Sequence, residues 1–181
     1  RGLGDVYKRQ IHGVPNETTI VQEGDIVSLD CGLKHKGMIV DSAISFGIGE
    51  VSEEARLLLE RTQKSLYKAI KALKHGATTG DIGYAVEHYI DQFGYGIIRD
   101  YAGHGVGHSL HENPSIPNYG IPGKGDVFLS GMTIAIEPMI TLGSEDVYID
   151  ADDEWTVYTD DGSLSAHFEH SILVTDKGAE I

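Results

Sequence analysis

The chain has 181 residues, 40% of them apolar, which is enough for one sizeable hydrophobic core but not for two. Its net charge of −14 argues against tight binding to a phosphate backbone, so we expect no direct nucleic-acid partner. No apolar run approaches the roughly 18 residues that cross a membrane, and the first ten residues lack the apolar core of a signal peptide. The single cysteine, Cys31, cannot form an internal disulfide. We expect it to be a small buried residue of a soluble, cytoplasmic protein.

The first predicted element is a β-hairpin. Residues 25–31 alternate apolar and polar side chains, and residues 38–46 resume an extended, β-branched pattern after the turn residues LKHKG. A turn centred on the His-Lys pair would place Asp30 directly opposite Asp41, on one face. Carboxylates that close are destabilising unless a cation lies between them. A different register or a solvated edge would explain the pair without a cation.

Two helices are predicted after the hairpin. Residues 52–76 begin with two glutamates, continue with apolar residues at helical spacing and end in glycine, which indicates a long amphipathic helix. A second helix begins near Thr78, where Thr78 and Asp81 form a capping-box pattern, and ends at Gly94. We expect both helices to pack on one sheet.

Beyond Tyr95 the pattern predicts short strands joined by turns that contain glycine or proline. The clearest extended runs are residues 133–137, 155–159 and 165–175, with Asp161-Gly162 as the hairpin turn between the last two. Strands, then two adjacent helices, then further strands indicate an α+β domain.

Three histidines lie in the glycine-rich segment GHGVGHSLHENP, residues 103–114. The segment has too little apolar periodicity for a helix, and glycine lets a backbone pass close to a ligand. His104, His108 and His111 could each be a metal ligand, a catalytic group or neither, because their spacing alone does not choose among them.

Two glutamates lie in later strands. Glu137 ends the strand TIAIE on the same face as Ala135, where small side chains leave room for a cavity, and Glu169 shares a face with His167 and Ser171. Either glutamate could simply face solvent. With the two aspartates and one imidazole, however, they make the oxygen-rich ligand set of a divalent metal pair.

Several segments resemble the type I methionine aminopeptidases in order and spacing. They are HGVP at residues 12–15, the two aspartates eleven residues apart, GHGVGHSLHENP, MTIAIEPM and WTVYTDDGSLSAHFEH. The resemblance covers residues 11–181 and implies the pita-bread fold, in which two pseudo-symmetric halves enclose a dinuclear metal site. The metal ligands that it implies are Asp30, Asp41, His104, Glu137 and Glu169.

The resemblance also implies a reaction: a hydroxide activated by two divalent metal ions releases the initiator methionine from peptides and nascent proteins. Cobalt, manganese, iron or zinc would suit these ligands. His12 and His111 would stabilise the tetrahedral intermediate, Glu137 would carry the proton, and Trp155 would line the substrate pocket. The implied enzyme is a cytoplasmic monomer that works near the ribosome. The remaining histidines of these motifs would be bystanders: His108, His167 and His170.

The opening segment RGLGDVYKRQ, residues 1–10, matches nothing in that family and lacks helical periodicity. We interpret it as an artefactual leader that is disordered or poorly docked. Family members carry additional helices and a strand before HGVP. Without them we expect an incomplete pseudo-symmetric half, an exposed apolar sheet face and a chain that is poorly soluble or weakly active.

Three alternative functions are weighed against this one. An aminopeptidase P or prolidase shares the fold and ligands, but separates its loop histidines by a longer insertion than that between His104 and His111. A pita-bread binding module that has lost catalysis would lack ligands, and none is missing. A mononuclear zinc protein could use His108 with His111, or His167 with His170, but no matching spacing occurs elsewhere.

Overall fold

The computed structural model describes residues 9–13 and 20–181. Expectations for residues 1–8, and for the last two residues of HGVP, therefore lie outside the described residues. The helices are α1 (Glu53–Ala72) and α2 (Thr79–Ile90), followed by a 3-10 turn, Asp91–Phe93. The strands are β1 (Arg9–Ile11), β2 (Ile26–His35), β3 (Met38–Gly47), β4 (Gly96–Ile97), β5 (Gly103–Gly105), β6 (Glu112–Ile116), β7 (Thr133–Ile136), β8 (Met139–Thr141), β9 (Val147–Ile149), β10 (Val157–Thr159), β11 (Ser165–His167), β12 (Glu169–Thr175) and β13 (Gly178–Glu180).

One large antiparallel sheet organises the domain. Its strand order is β2-β3-β12-β7-β5-β6, and β13 also pairs with β12. Two three-stranded antiparallel sheets, β1-β10-β9 and β11-β8-β4, continue from it. The helices follow one another between β3 and β4 and pack against each other and against the strands, as expected for an α+β domain. Neither helix in the described part of the chain is long and apolar enough to cross a membrane.

The β2–β3 hairpin turns one residue later than the sequence predicts. His35 pairs with Met38, so Lys36 and Gly37 form a two-residue turn with φ angles of 48° and 89°. Two positive φ angles are the signature of a type I′ turn, whose twist matches that of the flanking strands. Glycine adopts this conformation without strain, which places the turn at Gly37.

This register separates the two aspartates of the hairpin. Asp30 pairs with Ala43, and Asp41 pairs with Gly32, so the prediction that the aspartates lie directly opposite each other is wrong. They still share one face, because directly paired residues and residues two apart on a strand point the same way. Asp30 and Asp41 are therefore diagonal neighbours, at a separation that long or ligand-bridged side chains can span.

The opposite face of the hairpin is apolar and exposed. Leu33 and Val40 pair across the strands and are 58% and 49% exposed, and Ile44 is 49% exposed. An exposed apolar sheet face agrees with the expectation from the sequence. Cys31 lies on this face opposite Ser42 and is exposed, so the prediction that it is buried is wrong. Strand alternation points Cys31 away from the face that carries Asp30.

The first helix begins where the sequence predicts and ends earlier. The hydroxyl of Ser52 accepts a hydrogen bond from the Ala55 N–H at 3.1 Å, and Glu53 lies in the first turn, where the helix dipole favours negative charge. The helix stops at Ala72 and not near Gly76, because Leu73 takes an extended conformation and is 1% exposed. Burial of Leu73 in the core thus outweighs the glycine signal.

The second helix confirms the predicted capping box. The Asp81 N–H donates to the Thr78 hydroxyl at 3.3 Å, and the Thr78 N–H donates to the Asp81 carboxylate at 2.7 Å. Helix α2 passes into the 3-10 turn, which ends at Gly94 with a φ of 67°. Both helices bury apolar residues with those of the large sheet in one core, which includes Leu58, Leu66, Leu73, Ile82, Val86, Ile90, Ile134, Ile136 and Ile172.

The predicted hairpin across Asp161-Gly162 does not form. The turn is present, with a φ of 70° at Gly162, but β10 pairs with β9 and β1 whereas β11 pairs with β8. The Asp161 carboxylate accepts hydrogen bonds from the N–H groups of Ser144 and Ser163 at 2.7 and 2.9 Å. These bonds tie the turn to the loop before β9, at the junction of two sheets.

Strand β1 orders the end of the segment interpreted as a leader. Arg9 pairs with Tyr158 and Ile11 with Val157 of β10. The expectation of a disordered or poorly docked segment is wrong for Arg9 and Gln10, because both belong to β1, whose residues Arg9 and Ile11 pair with β10. The strand leads directly into His12, and so it positions that residue.

Two glycines allow β5 to approach its neighbours closely. A Cβ atom added at Gly103 would lie 2.4 Å from the carbonyl oxygen of Ala135, and one added at Gly105 would lie 2.3 Å from that of Asn113. The obstructing atoms are backbone, which cannot move aside without shifting a strand. These glycines flank His104 and therefore decide how near it lies to the other strands.

We expect Gly105→Ala to destabilise the protein by at least the roughly 1–3 kcal/mol typical of an overpacked interior. Urea denaturation measures this loss. Gly32→Ala is the matched control, because an added Cβ there meets its nearest atoms at 3.5 Å, an ordinary contact. Equal stability losses in the two variants would contradict the packing explanation.

Candidate metal centre

Backbone pairing gathers carboxylates from three strands on one face of the large sheet. In one row across the sheet, Asp30 of β2 pairs with Ala43 of β3, which pairs with Glu169 of β12. The small side chain of Ala43 leaves open space between the two carboxylates. Because paired residues point to the same face, Asp30 and Glu169 converge on that space.

The next row across the sheet carries the other aspartate and the histidine. The Ser171 hydroxyl accepts from the Asp41 N–H at 2.7 Å and donates to the Asp41 carbonyl oxygen at 2.8 Å. Ser171 also pairs with Ala135, which pairs with His104. The short side chains of Ser171 and Ala135 thus separate Asp41 from His104, and they leave open space on this face of the sheet.

Glu137 follows the last residue of β7 and lies over the same face. Asn118 donates to its carbonyl oxygen at 3.0 Å, which fixes the backbone there. Its Oε1 lies 3.4 Å from His104 Nε2, and its Oε2 lies 3.5 Å from His167 Nε2. The Glu137 carboxylate therefore lies between two imidazoles.

The eight residues predicted for the site line one cavity of about 180 Å³, together with Gly32 and Leu110. One ligand atom each from Asp41, His104 and Glu169 lies within 4.8 Å of the others. Asp30 and Glu137 line the same cavity but do not belong to that group. The predicted residues that the cavity brings together are His12, Asp30, Asp41, His104, His111, Glu137, Trp155 and Glu169.

His104 directs its Nε2 toward Glu137 in this cavity, because its Nδ1 is engaged by the backbone. Its Nδ1 lies 2.9 Å from the carbonyl oxygen of Gly105, and because a carbonyl only accepts, Nδ1 carries the hydrogen. In the neutral ring, Nε2 is then an acceptor 3.4 Å from an acceptor oxygen of Glu137. Two acceptors this close are favourable when a cation lies between them. A metal-binding imidazole usually donates a hydrogen bond from its other ring nitrogen to a carbonyl oxygen, as Nδ1 does here.

The electrostatics of the cavity favour a bound cation. Glu169 is 2% exposed, and its Oε1 has no hydrogen-bond partner within the described residues. Burial raises the pKa of Glu169 to about 10, and repulsion from Glu137, Asp41 and Asp30 adds to the effect. Burial also raises the pKa of Asp30. Hard carboxylate oxygens and one imidazole, short of hydrogen-bond donors, fit a divalent metal ion.

Aromatic side chains form another wall of the cavity. His12, with a φ of 62°, stacks on Trp155 at a centroid distance of 4.7 Å and meets Tyr101 edge-on at 5.7 Å. His111, on the loop between β5 and β6, packs edge-on against His104 at 4.4 Å. Burial lowers the pKa of His12, so this imidazole is neutral at neutral pH. Neutral imidazoles can each donate one hydrogen bond to a substrate.

The three histidines set aside as bystanders occupy different surroundings. His108 is exposed and does not line the cavity. His170 is half-buried, and its ring lies 5.9 Å from that of Tyr67. His167 is 2% exposed and lies beside Glu137. The sequence contained a signal for this placement, because His167 and Glu169 are two residues apart in an extended segment and so share a face.

Comparison with known proteins identifies the family. The model of Metallopeptidase family M24 matches residues 6–176, so the similarity begins inside the segment 1–10 and not at residue 11. The chain is 45% identical over 176 residues to a methionine aminopeptidase of Clostridium acetobutylicum and 43% identical to methionine aminopeptidase 1 of Bacillus subtilis. Each match covers 97% of this chain and 70% of the relative. The chain belongs to the methionine aminopeptidases of metallopeptidase family M24.

Solved structures confirm the pita-bread fold implied by the resemblance. A methionine aminopeptidase from Thermotoga maritima matches with a TM-score of 0.95 and 46% identity, over 97% of this chain and 70% of that one. A prolidase from Pyrococcus furiosus matches with a TM-score of 0.73 and 27% identity, over 97% of this chain and 47% of that one. Of these two, the methionine aminopeptidase is much the nearer in both sequence and structure.

The pKa of Glu169 predicts that the metal-free protein loses stability as the pH rises. The folded state keeps this proton up to about pH 10, whereas the ordinary pKa of a glutamate is 4.5. Between these values the folded state binds more protons than the unfolded state, so stability falls by about 1.4 kcal/mol per pH unit for each such proton. Thermal melts in chelator should give a lower Tm at pH 9 than at pH 7.

Two glutamate variants test whether Glu169 causes this slope. Glu169→Gln cannot ionise and should lose most of the difference between pH 7 and pH 9. Glu53→Gln, on the exposed first turn of α1, should keep it. A slope unchanged in Glu169→Gln would show that another group is responsible.

Proposed function

We propose that this chain removes N-terminal methionine from peptides and nascent proteins, using two divalent metal ions. The observation that carries the proposal is the convergence of four carboxylates and the His104 imidazole on one cavity, in a member of a metallopeptidase family. Bound metal ions would supply the Lewis acidity that activates a water molecule and polarises the peptide carbonyl. The proposed ligands are Asp30, Asp41, His104, Glu137 and Glu169.

In this proposal Glu137 carries the proton. Peptide hydrolysis takes a proton from the attacking water and delivers one to the leaving amine, and a carboxylate within reach of both can do each in turn. The Glu137 carboxylate lines the cavity and is 13% exposed, so the water and the amine can reach it there while bulk solvent is largely excluded.

His12 and His111 are proposed to stabilise the tetrahedral intermediate. Both line the cavity on the side of the aromatic wall, and His12 is held there by its stack on Trp155. A neutral imidazole can donate its N–H to the carbonyl oxygen as negative charge develops. Donors in such positions are often worth about 3–4 kcal/mol each in the transition state.

The size and lining of the cavity suit a single N-terminal residue. Pockets for larger ligands typically enclose about 300–1,000 Å³. This one encloses about 180 Å³. Its carboxylates favour a free, positively charged α-amino group, which restricts cleavage to the first residue. Trp155 and Leu110 supply apolar surface for a methionine side chain.

The remaining parts of the proposal rest on the likeness to methionine aminopeptidases. They are a cytoplasmic location, a monomeric state and action close to the ribosome, where new N-termini emerge. The ligand set does not choose among cobalt, manganese, iron and zinc, because carboxylates with one imidazole accept each of them.

Glu137→Gln should abolish release of methionine from Met-Ala-Ser when both metal ions are retained. The amide keeps the shape of the side chain but cannot accept the water's proton, and general-base catalysis typically contributes about 10²–10⁴-fold. Metal content is measured on the same sample, since Glu137 is also a proposed ligand. Glu54→Gln, an exposed change on α1, is the matched control and should turn over normally.

The wild-type protein distinguishes the alternatives in the same assay. Cleavage of Met-Ala-Ser without cleavage of a Xaa-Pro peptide supports the proposed function. Cleavage of the Xaa-Pro peptide would favour a prolidase, and absence of both metal and cleavage would favour a non-catalytic module. An undiminished rate in metal-loaded Glu137→Gln would refute the proposed role of Glu137.

A further inference from the structure

His167 is a buried imidazole whose outer nitrogen is unsatisfied. The residue is 2% exposed, and its Nε2 has no hydrogen-bond partner within the described residues. Buried polar atoms are nearly always paired, because an unpaired one loses its hydration without compensation. An unpaired nitrogen beside a proposed catalytic centre therefore needs an explanation.

The backbone of His167 is held on both sides. Its N–H donates to the Ser45 hydroxyl at 2.9 Å, and that hydroxyl donates to the His167 carbonyl oxygen at 2.8 Å. His167 also pairs with Met139 in the β11–β8 ladder. With its backbone held in this way and its side chain enclosed, the imidazole cannot turn out to solvent.

A carboxylate oxygen of the site lies close to this nitrogen. His167 Nε2 lies 3.5 Å from Glu137 Oε2, while the other carboxylate oxygen, Oε1, faces His104 Nε2 at 3.4 Å. In a neutral His104 the hydrogen lies on Nδ1, toward the Gly105 carbonyl oxygen, and Nε2 then has no hydrogen to donate to Glu137. With His104 in that form, His167 is the one of these two imidazoles whose Nε2 can donate a hydrogen bond to Glu137.

We infer that His167 is a positioning residue for Glu137. In the Nε2–H tautomer it donates to Oε2, which orients the carboxylate and leaves Oε1 for the metal-binding cavity. Groups that support a metal-ligating carboxylate in this way commonly change metal affinity or activity 10- to 100-fold when they are removed. The effect on turnover rests on the proposed function. The hydrogen bond from His167 to Glu137 does not, because it joins two side chains of this chain.

The first test reads the tautomer directly in the metal-free protein. Nitrogen NMR of ¹⁵N-histidine-labelled protein, with the His167 signals identified by their loss in His167→Gln, should show hydrogen on Nε2. Hydrogen on Nδ1 with a bare Nε2 would overturn the inference. This measurement requires neither metal nor turnover, so it stands apart from the proposed function.

The second test uses two substitutions of His167. Glutamine can place its amide nitrogen near the position of the imidazole Nε2, whereas leucine has a similar bulk and no donor. His167→Leu should lose 10- to 100-fold in manganese affinity, measured by titration calorimetry, and should lower kcat on Met-Ala-Ser while KM stays nearly constant. His167→Gln should stay within about threefold of wild type in both, since the amide replaces the lost donor.

Controls separate a positioning role from general damage to the fold. His170→Leu, at the half-buried histidine of the same segment, should leave manganese affinity and kcat unchanged. Thermal melts of each metal-free variant check that the protein is folded. Wild-type values for His167→Leu, or equal losses in the leucine and glutamine variants, would overturn the inference. A wild-type protein that binds manganese but does not cleave Met-Ala-Ser would refute the proposed function alone.

Discussion

Repulsion among carboxylates that share one small cavity is the constraint on which the rest of the structure depends. Asp30, Asp41, Glu137 and Glu169 line a cavity of about 180 Å³, and within the described residues Glu169 Oε1 has no hydrogen-bond partner. Without a cation a proton relieves this repulsion. Burial, and after it repulsion from the other carboxylates, raises the pKa of Glu169 to about 10. A divalent metal ion would replace that proton, so metal affinity should increase with pH.

The surrounding fold holds these groups in place against their repulsion. Serine, alanine and glycine at the positions between the ligands keep the face of the sheet open, and Ser171 ties β12 to the backbone of Asp41 with two hydrogen bonds. The capped helices and the apolar core lie apart from the cavity and stabilise the sheet that carries it. The core therefore stabilises the fold, whereas the carboxylates on the cavity face of the sheet repel one another.

Features set by neighbours in the chain could be predicted. Alternation along the strands placed both aspartates on one face, and the capping box located the start of α2. Most of the errors have a common cause. The exposure of Cys31, the early end of α1 and the separation of β10 from β11 all depend on how distant parts of the chain pack. A turn that needs positive φ at two residues moved the centre of the hairpin by one residue, and with it the partner of Asp30 from residue 41 to residue 43. Burial of Leu73 ended α1 before its glycine.

The sequence by itself determined the family and the residues that we propose as ligands, because both are read from short motifs whose residue types the chemistry requires. The tertiary structure alone decided the diagonal relation of Asp30 to Asp41 and the place of His167 beside Glu137. Those features are distances between residues far apart in the chain. The bond between Asp41 and Ser171, for example, spans 130 residues. Local periodicity tells which way a side chain points, but only packing decides what it meets.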